Sequence, residues 1–199
     1  MISVIWFSKD CRLKFCESIF DPMTTKLLIT SFDTWEAHQP SNASDDLLAE
    51  VQLQKELSDR IHLLRKLPVD FQLAPAAVLA QIAALRPDAV VCCGMAENRT
   101  WLTVETNGKH QQETCFTPFQ VPELIRDLPF TRISHDAGNF VCNYLYYSLL
   151  KQFQPSAFSL PCLFIHVPRL HERNLQPVLS DFVTLLQRIA LQITDDRSR

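Results

Sequence analysis

Three short apolar runs constrain the fold most: Lys26 to Phe32 (KLLITSF), Pro87 to Met95 (PDAVVCCGM) and Cys162 to Pro168 (CLFIHVP). Each is of strand length and lacks the alternation of a half-exposed strand, which suits a sheet covered on both faces. Stretches with helical spacing lie between them. Val141, Leu145 and Leu149 recur every four residues, and Leu175, Val178, Phe182, Leu185, Ile189 and Ile193 mark one face of a closing helix. A helix is expected from Ser41 or Ser44 to about Leu67, with Leu48, Val51, Leu57, Ile61 and Leu64 on one side and Pro68 as its breaker. Val69 to Leu73 reads as a strand, and Pro75 suits the start of an Ala-rich helix to Leu85. Trp101 to Glu105 is another strand, Asn107-Gly108 a turn, and Glu123 to Leu128 a short helix. Strands alternating with helices imply a single-domain three-layer α/β/α sandwich around a mostly parallel or mixed sheet.

Composition narrows the function. A formal net charge of −3 without a basic cluster argues against nucleic acid as a partner. No run approaches the roughly 18–20 apolar residues of a membrane span. Only three glycines occur, which excludes a Gly-rich phosphate cradle. Seven cysteines, an odd and scattered set, suit a reducing cytoplasmic setting better than a disulfide framework. Nothing in their spacing implies zinc, and no cofactor is expected. Residues 1–22 read as an N-terminal extension, disordered or not native, because Met23 precedes the first convincing core element. Residues 23–199 then form the domain.

The chemistry concentrates at Ser134 to Asn143. Gly138 or Asn139 can cap the following helix, which puts Cys142 in its first turn. Unpaired N–H groups and the positive helix end there favour a thiolate. His166 ends an apolar strand, and both residues belong where element ends gather at one edge of an α/β sheet. A buried cysteine is more often a small hydrophobe, and a strand-end histidine more often a satisfied rim residue.

The segments together shift that balance. Ala137-Gly138-Asn139-Phe140-Val141-Cys142-Asn143, with Leu145 and Tyr147, resembles the nucleophile motif of the pyroglutamyl peptidase I family of cysteine peptidases. Phe164-Ile165-His166-Val167-Pro168 resembles its histidine motif. Pro87-Asp88 through Gly94, with Arg99-Thr100 and Glu105, resembles the strand and loop that deliver its carboxylate. Leu28 through Trp35, with Pro40-Ser41, is similar to its opening strand and aromatic loop. The likeness spans roughly residues 26–190.

The resemblance implies a Cys142–His166–Glu105 triad that removes an N-terminal pyroglutamyl residue from peptides through an acyl-enzyme. Cys142 would attack, His166 shuttle the proton and Glu105 orient the imidazole. Phe32, Trp35 and Phe140 match positions lining the family's pocket, while Met95 and Val141 match positions offering backbone contacts. Ordinary core packing is the plain alternative for each. Several departures stand out. Glu97-Asn98 replace a glycine pair before Arg99, Thr106 replaces an arginine, Gln39 replaces an asparagine, and the opening motif lacks its glycines. Only 36 residues separate Glu105 from Cys142, fewer than the family carries. The missing stretch would supply a substrate-flanking loop and part of the contacts of a homo-oligomer. Two rival functions follow from an altered pocket: a thiol amidohydrolase for another small N-acyl group, or a catalytically silent family member that acts as a binding protein. A nucleoside phosphorylase would share the fold class, but the scarcity of glycine and of basic residues near strand ends opposes it.

Overall fold

The computed structural model describes residues 25–54, 60–153 and 159–197. Residues 1–22, read above as an extension, lie outside the described residues. Among the described residues the centre is a six-stranded sheet of β1 (Leu27–Phe32), β2 (Ile61–Leu67), β3 (Ala89–Met95), β4 (Leu102–Glu105), β7 (Thr131–Ser134) and β8 (Cys162–Val167). The strand order is β2-β1-β3-β8-β4-β7. Every pairing is parallel except β4 with β8. The sheet is therefore mixed, and the one antiparallel pairing sits beside the strand that carries His166.

Alternate residues of the apolar runs feed two cores, as the two-residue period of a strand dictates. Ile29, Val91, Cys93, Leu163 and Ile165 pack under α1 (Ala43–Gln52), α3 (Val121–Leu124) and α5 (Leu175–Arg197). Leu28, Val90, Cys92 and Phe164 pack under α2 (Leu73–Leu85) and α4 (Val141–Phe153). Helices thus cover both faces, and the architecture is the three-layer sandwich.

Local readings fail in three places. The helix expected through Leu67 ends at Gln52, and Ile61–Leu67 is the edge strand β2, paired parallel to β1. Ile61 and Leu64 do fit a helical stripe. However, burial against β1 rewards an extended chain, and β2 keeps a partly exposed outer face. Residues 69–73 accordingly hold no strand; Asp70 accepts from the N–H groups of Gln72 and Leu73 and opens α2. Asn107-Gly108 is no turn. It begins β5 (Asn107–His110), which pairs with β6 (Glu113–Phe116), and the chain reverses at Gln111, where φ is 54°. Gly108 is needed for close approach: a Cβ there would lie 2.7 Å from the Tyr147 backbone nitrogen. The short helix expected at 123–128 lies at Val121–Leu124.

Candidate active site

The site forms where β1, β3 and β8 end. Phe32 closes β1, Met95 closes β3, and His166 stands opposite Gly94 of β3 and Thr103 of β4. Because β4 runs against β8, its last residue, Glu105, lies opposite Phe164 rather than beyond His166. Residues 103 and 105 share a face with residues 164 and 166, so the carboxylate reaches the imidazole from deeper in the sheet. The Phe164 ring meets the His166 ring edge-on at 4.4 Å between centroids.

Cys142 arrives on the same face from α4. The Tyr144 N–H donates to the Phe140 carbonyl, so the helix starts there, and Cys142 occupies its first turn. Gly138, at φ 75°, turns the chain just before it. Gly94 makes room for the nucleophile side: a Cβ at that position would lie 3.1 Å from the Cys142 Cβ and 3.1 Å from the Phe164 ring. A glycine inside a buried strand is the sequence mark of such an approach.

The structure brings Cys142, His166 and Glu105 into one line. The Cys142 sulfur lies 3.8 Å from His166 Nε2, and His166 Nδ1 lies 2.8 Å from Glu105 Oε1. All three are buried, at 8%, 5% and 0% exposure. Arg99 adds a fourth member. Its guanidinium donates to Glu105 Oε1 at 2.5 Å, to the Thr103 hydroxyl, and to the Asp136 carbonyl at 2.8 Å. Arg99 therefore ties the carboxylate to the loop that leads into α4. The sequence motif contains Arg99, but spacing alone gives it no such duty.

Protonation follows from burial. Burial pushes the Cys142 thiol up to about 11, outweighing the backbone N–H groups of Asn143 and Cys142, which pull it down. The thiolate expected from helix placement alone is thus not the resting form, because desolvation exceeds the helix-end effect. Burial also pushes the Glu105 carboxyl up, yet hydrogen bonds from His166, Ser134 and Arg99 together hold it below its ordinary value. Burial lowers His166, and the hydrogen bond and charge of Glu105 only partly restore it. The resting site consequently holds a neutral thiol, a neutral imidazole and a carboxylate. With Glu105 ionised, Nδ1 carries the imidazole proton and Nε2 presents its lone pair to sulfur.

Phe32, Trp35, Met95, Phe140 and Val141, the five residues matched to a pocket, all line one small cavity with Cys142 and Gly94. Trp35 and Phe140 face each other at 5.4 Å between centroids, and Phe140 is 45% exposed. Asn42 and Val69 line the same cavity, which sequence reasoning missed. Asn42 is the N-cap of α1, accepting from the Ser44 N–H, a signal that spacing from Ser41 to Ser44 had only bracketed. A wider cleft beside the cavity is lined by Cys142, His166, Trp35, Glu97, Arg99 and Asp136 among others.

This geometry has counterparts. A family model described as pyroglutamyl peptidase matches residues 124–181, the stretch that carries Cys142 and His166. The pyrrolidone-carboxylate peptidase of Thermoanaerobacter sp. (strain X514) is 27% identical over 171 residues, covering 73% of this chain and 83% of its own. This chain is thus similar to pyroglutamyl peptidases, most specifically over the stretch that holds the sulfur and the imidazole. The pyrrolidone-carboxylate peptidase of Bacillus subtilis (strain 168) is likewise 27% identical, over 207 residues, covering 84% and 91% of the two chains. The crystal structure of Bacillus amyloliquefaciens pyroglutamyl peptidase I superposes with a TM-score of 0.71 at 19% identity, over 84% of this chain and 97% of that one. A mutant pyrrolidone carboxyl peptidase from P. furiosus gives 0.70 at 18% identity, over 84% and 99%. These two structures speak to the fold.

Proposed function

We propose that the protein is a cysteine peptidase that removes an N-terminal pyroglutamyl residue from peptides, with Cys142, His166 and Glu105 as its working groups. The observation that carries this reading is the line from sulfur to imidazole to carboxylate, 3.8 Å and 2.8 Å long, at the mouth of a small aromatic cavity. A flat, uncharged lactam suits such a cavity, because burying it leaves few polar groups to satisfy.

In this mechanism the neutral His166 Nε2 takes the Cys142 proton as sulfur bonds to the carbonyl carbon next to the lactam. Glu105 stabilises the imidazolium that results. Backbone N–H groups at the start of α4 hold the carbonyl oxygen as it gains charge. Nε2 then gives its proton to the departing amine, the C–N bond breaks, and a thioester remains. Water, losing a proton to the same nitrogen, adds to the thioester and releases pyroglutamate and the free thiol. Phe32, Trp35 and Phe140 bind the ring by contact, and Met95 and Val141 offer their backbones.

Arg99 holds Glu105 in its charged form and in place. The five cysteines among the described residues are all free, which supports a reducing cytoplasm as the compartment. Among the described residues no helix is long and apolar enough to cross a membrane. The direct test is amine release from a fluorogenic pyroglutamyl amide. Turnover is expected from the reduced protein and should vanish in Cys142→Ala. Reduced protein that cleaves other N-acyl amides, but not this one, would transfer the same chemistry to another acyl group.

A further inference from the structure

Two positions at which the sequence departs from the family motif meet in space. Gln39 stands where the motif has asparagine and Glu97 where it has glycine. Gln39 is buried. Its side-chain oxygen accepts from the N–H groups of Trp35 and Glu36 at 3.1 and 3.2 Å. Its amide nitrogen donates to Glu97 Oε1 at 2.9 Å. One side chain thus joins the loop that carries Trp35 to a carboxylate 58 positions further along. A charged group that could wave in solvent is instead fixed at the mouth of the site.

That carboxylate lines the cleft shared by Cys142 and His166. The lactam fills the aromatic cavity under the reading above, so the cleft is left for the residue beyond the scissile bond. The cleft's own cation is committed, because Arg99 is bound to Glu105. Asp136, the other carboxylate on the cleft, has Lys109 at 3.7 Å. His38 lies 3.8 Å from Glu97, and Arg169 lines only the adjoining cavity on which Glu97 also borders. Within the cleft, therefore, Glu97 is the anchored charge without a strong ion pair.

We propose that Glu97 reads the residue following the pyroglutamyl group and favours a cationic side chain there, a preference that rests on the pyroglutamyl-peptidase reading. A partly exposed carboxylate discriminates by screened attraction, so the effect should be modest and salt-sensitive. The experiment measures kcat/KM for pyroglutamyl-lysine amide, pyroglutamyl-alanine amide and pyroglutamyl-glutamate amide by chromatography of the released amino-acid amides. The expected lysine-to-glutamate ratio is about tenfold at low ionic strength, falling to about twofold in about 0.5 M NaCl. Glu97→Gln keeps an oxygen to accept from Gln39 and removes only charge. It should bring the ratio close to one, and Glu97→Lys should invert it. Wild-type ratios near one, or a ratio unchanged in Glu97→Gln, overturn the preference while leaving the peptidase reading intact. No turnover of any of the three, the alanine amide included, overturns both together.

Discussion

The site as a whole has a charged side, built from Arg99, Glu105 and His166, here called the charged rim, and an aromatic rim, built from Phe32, Trp35 and Phe140. On the charged rim every group is held by at least two others. Glu105 is bound by His166 and Arg99, and Arg99 is bound by Thr103 and the Asp136 carbonyl besides. On the aromatic rim Phe140 is nearly half exposed and Trp35 partly so, and the Trp35 loop is tied down through Gln39. Proton transfer tolerates little positional error, whereas an apolar wall binds a flat ring over a range of positions. The first rim is therefore overdetermined and the second adjustable. That contrast explains how the loop residues can depart from the family pattern while the charged line keeps its geometry.

The contrast can be broken most severely at the charged rim. His166→Ala should cost about 10³-fold or more in kcat on a pyroglutamyl amide, with KM little changed, because it removes the proton acceptor. Glu105→Gln should lower kcat about 10²- to 10³-fold, since the imidazolium loses its counter-charge and Arg99 loses its ion pair. Unfolding by urea should also show Glu105→Gln destabilised by about 1–3 kcal/mol, as the half-buried Arg99 loses its carboxylate partner and a buried hydrogen-bond network is broken. On the aromatic rim Phe140→Ala should instead raise KM about three- to tenfold with a smaller change in kcat, because its ring is half in water. Equal kcat losses on both rims would remove the distinction.

Acid should act on the charged rim alone. Both His166 and Glu105 sit below their ordinary values in the fold, so the unfolded chain binds more protons than the folded one in acid. Stability gained from these groups is present above their unfolded values. It falls as pH drops from about 6.5 through the lowered His166 value, and again from the ordinary carboxylate range through the lowered Glu105 value. The acid limb of kcat/KM should likewise lie below about pH 6.5, where the base finally charges. Alkylation of Cys142 by iodoacetamide in the free protein should rise with pH toward about 11. A plateau at neutral pH would mark a preformed thiolate–imidazolium pair instead.

Legibility divided along physical lines. The strands 27–32, 89–95 and 162–167 and the helix over Cys142 could be read from the chain, because burial on both faces or along one stripe leaves a periodic trace. Strand β2 was illegible since Ile61 and Leu64 satisfy a helical spacing, and only the presence of β1 beside it decides. Asn107-Gly108 carried the residues of a turn, yet Gly108 is there for the Tyr147 backbone, a long-range fact. At the site, a helix start and a strand end could mark Cys142 and His166 as candidates, and Glu105 enters only through the resemblance to a known family. These signs could not show that the thiol is too deeply buried to ionise at rest, nor that Gln39 touches Glu97. Those depend on depth and on contacts between distant segments, which no local pattern records.

The reversed direction of β4 has a consequence for how the length of such a chain can vary. The depth of Glu105 is fixed by its pairing with β8, and the hairpin after it is pinned to α4 by Asn143, whose side chain bonds both backbone groups of Lys109. Acid and nucleophile are thus spaced by sheet register and by that clamp, not by how much chain runs between them. The exposed reversal at Gln111 and Gln112 is free of both constraints. Residues can be spliced in or trimmed out at that tip, and the reacting atoms stay where they are.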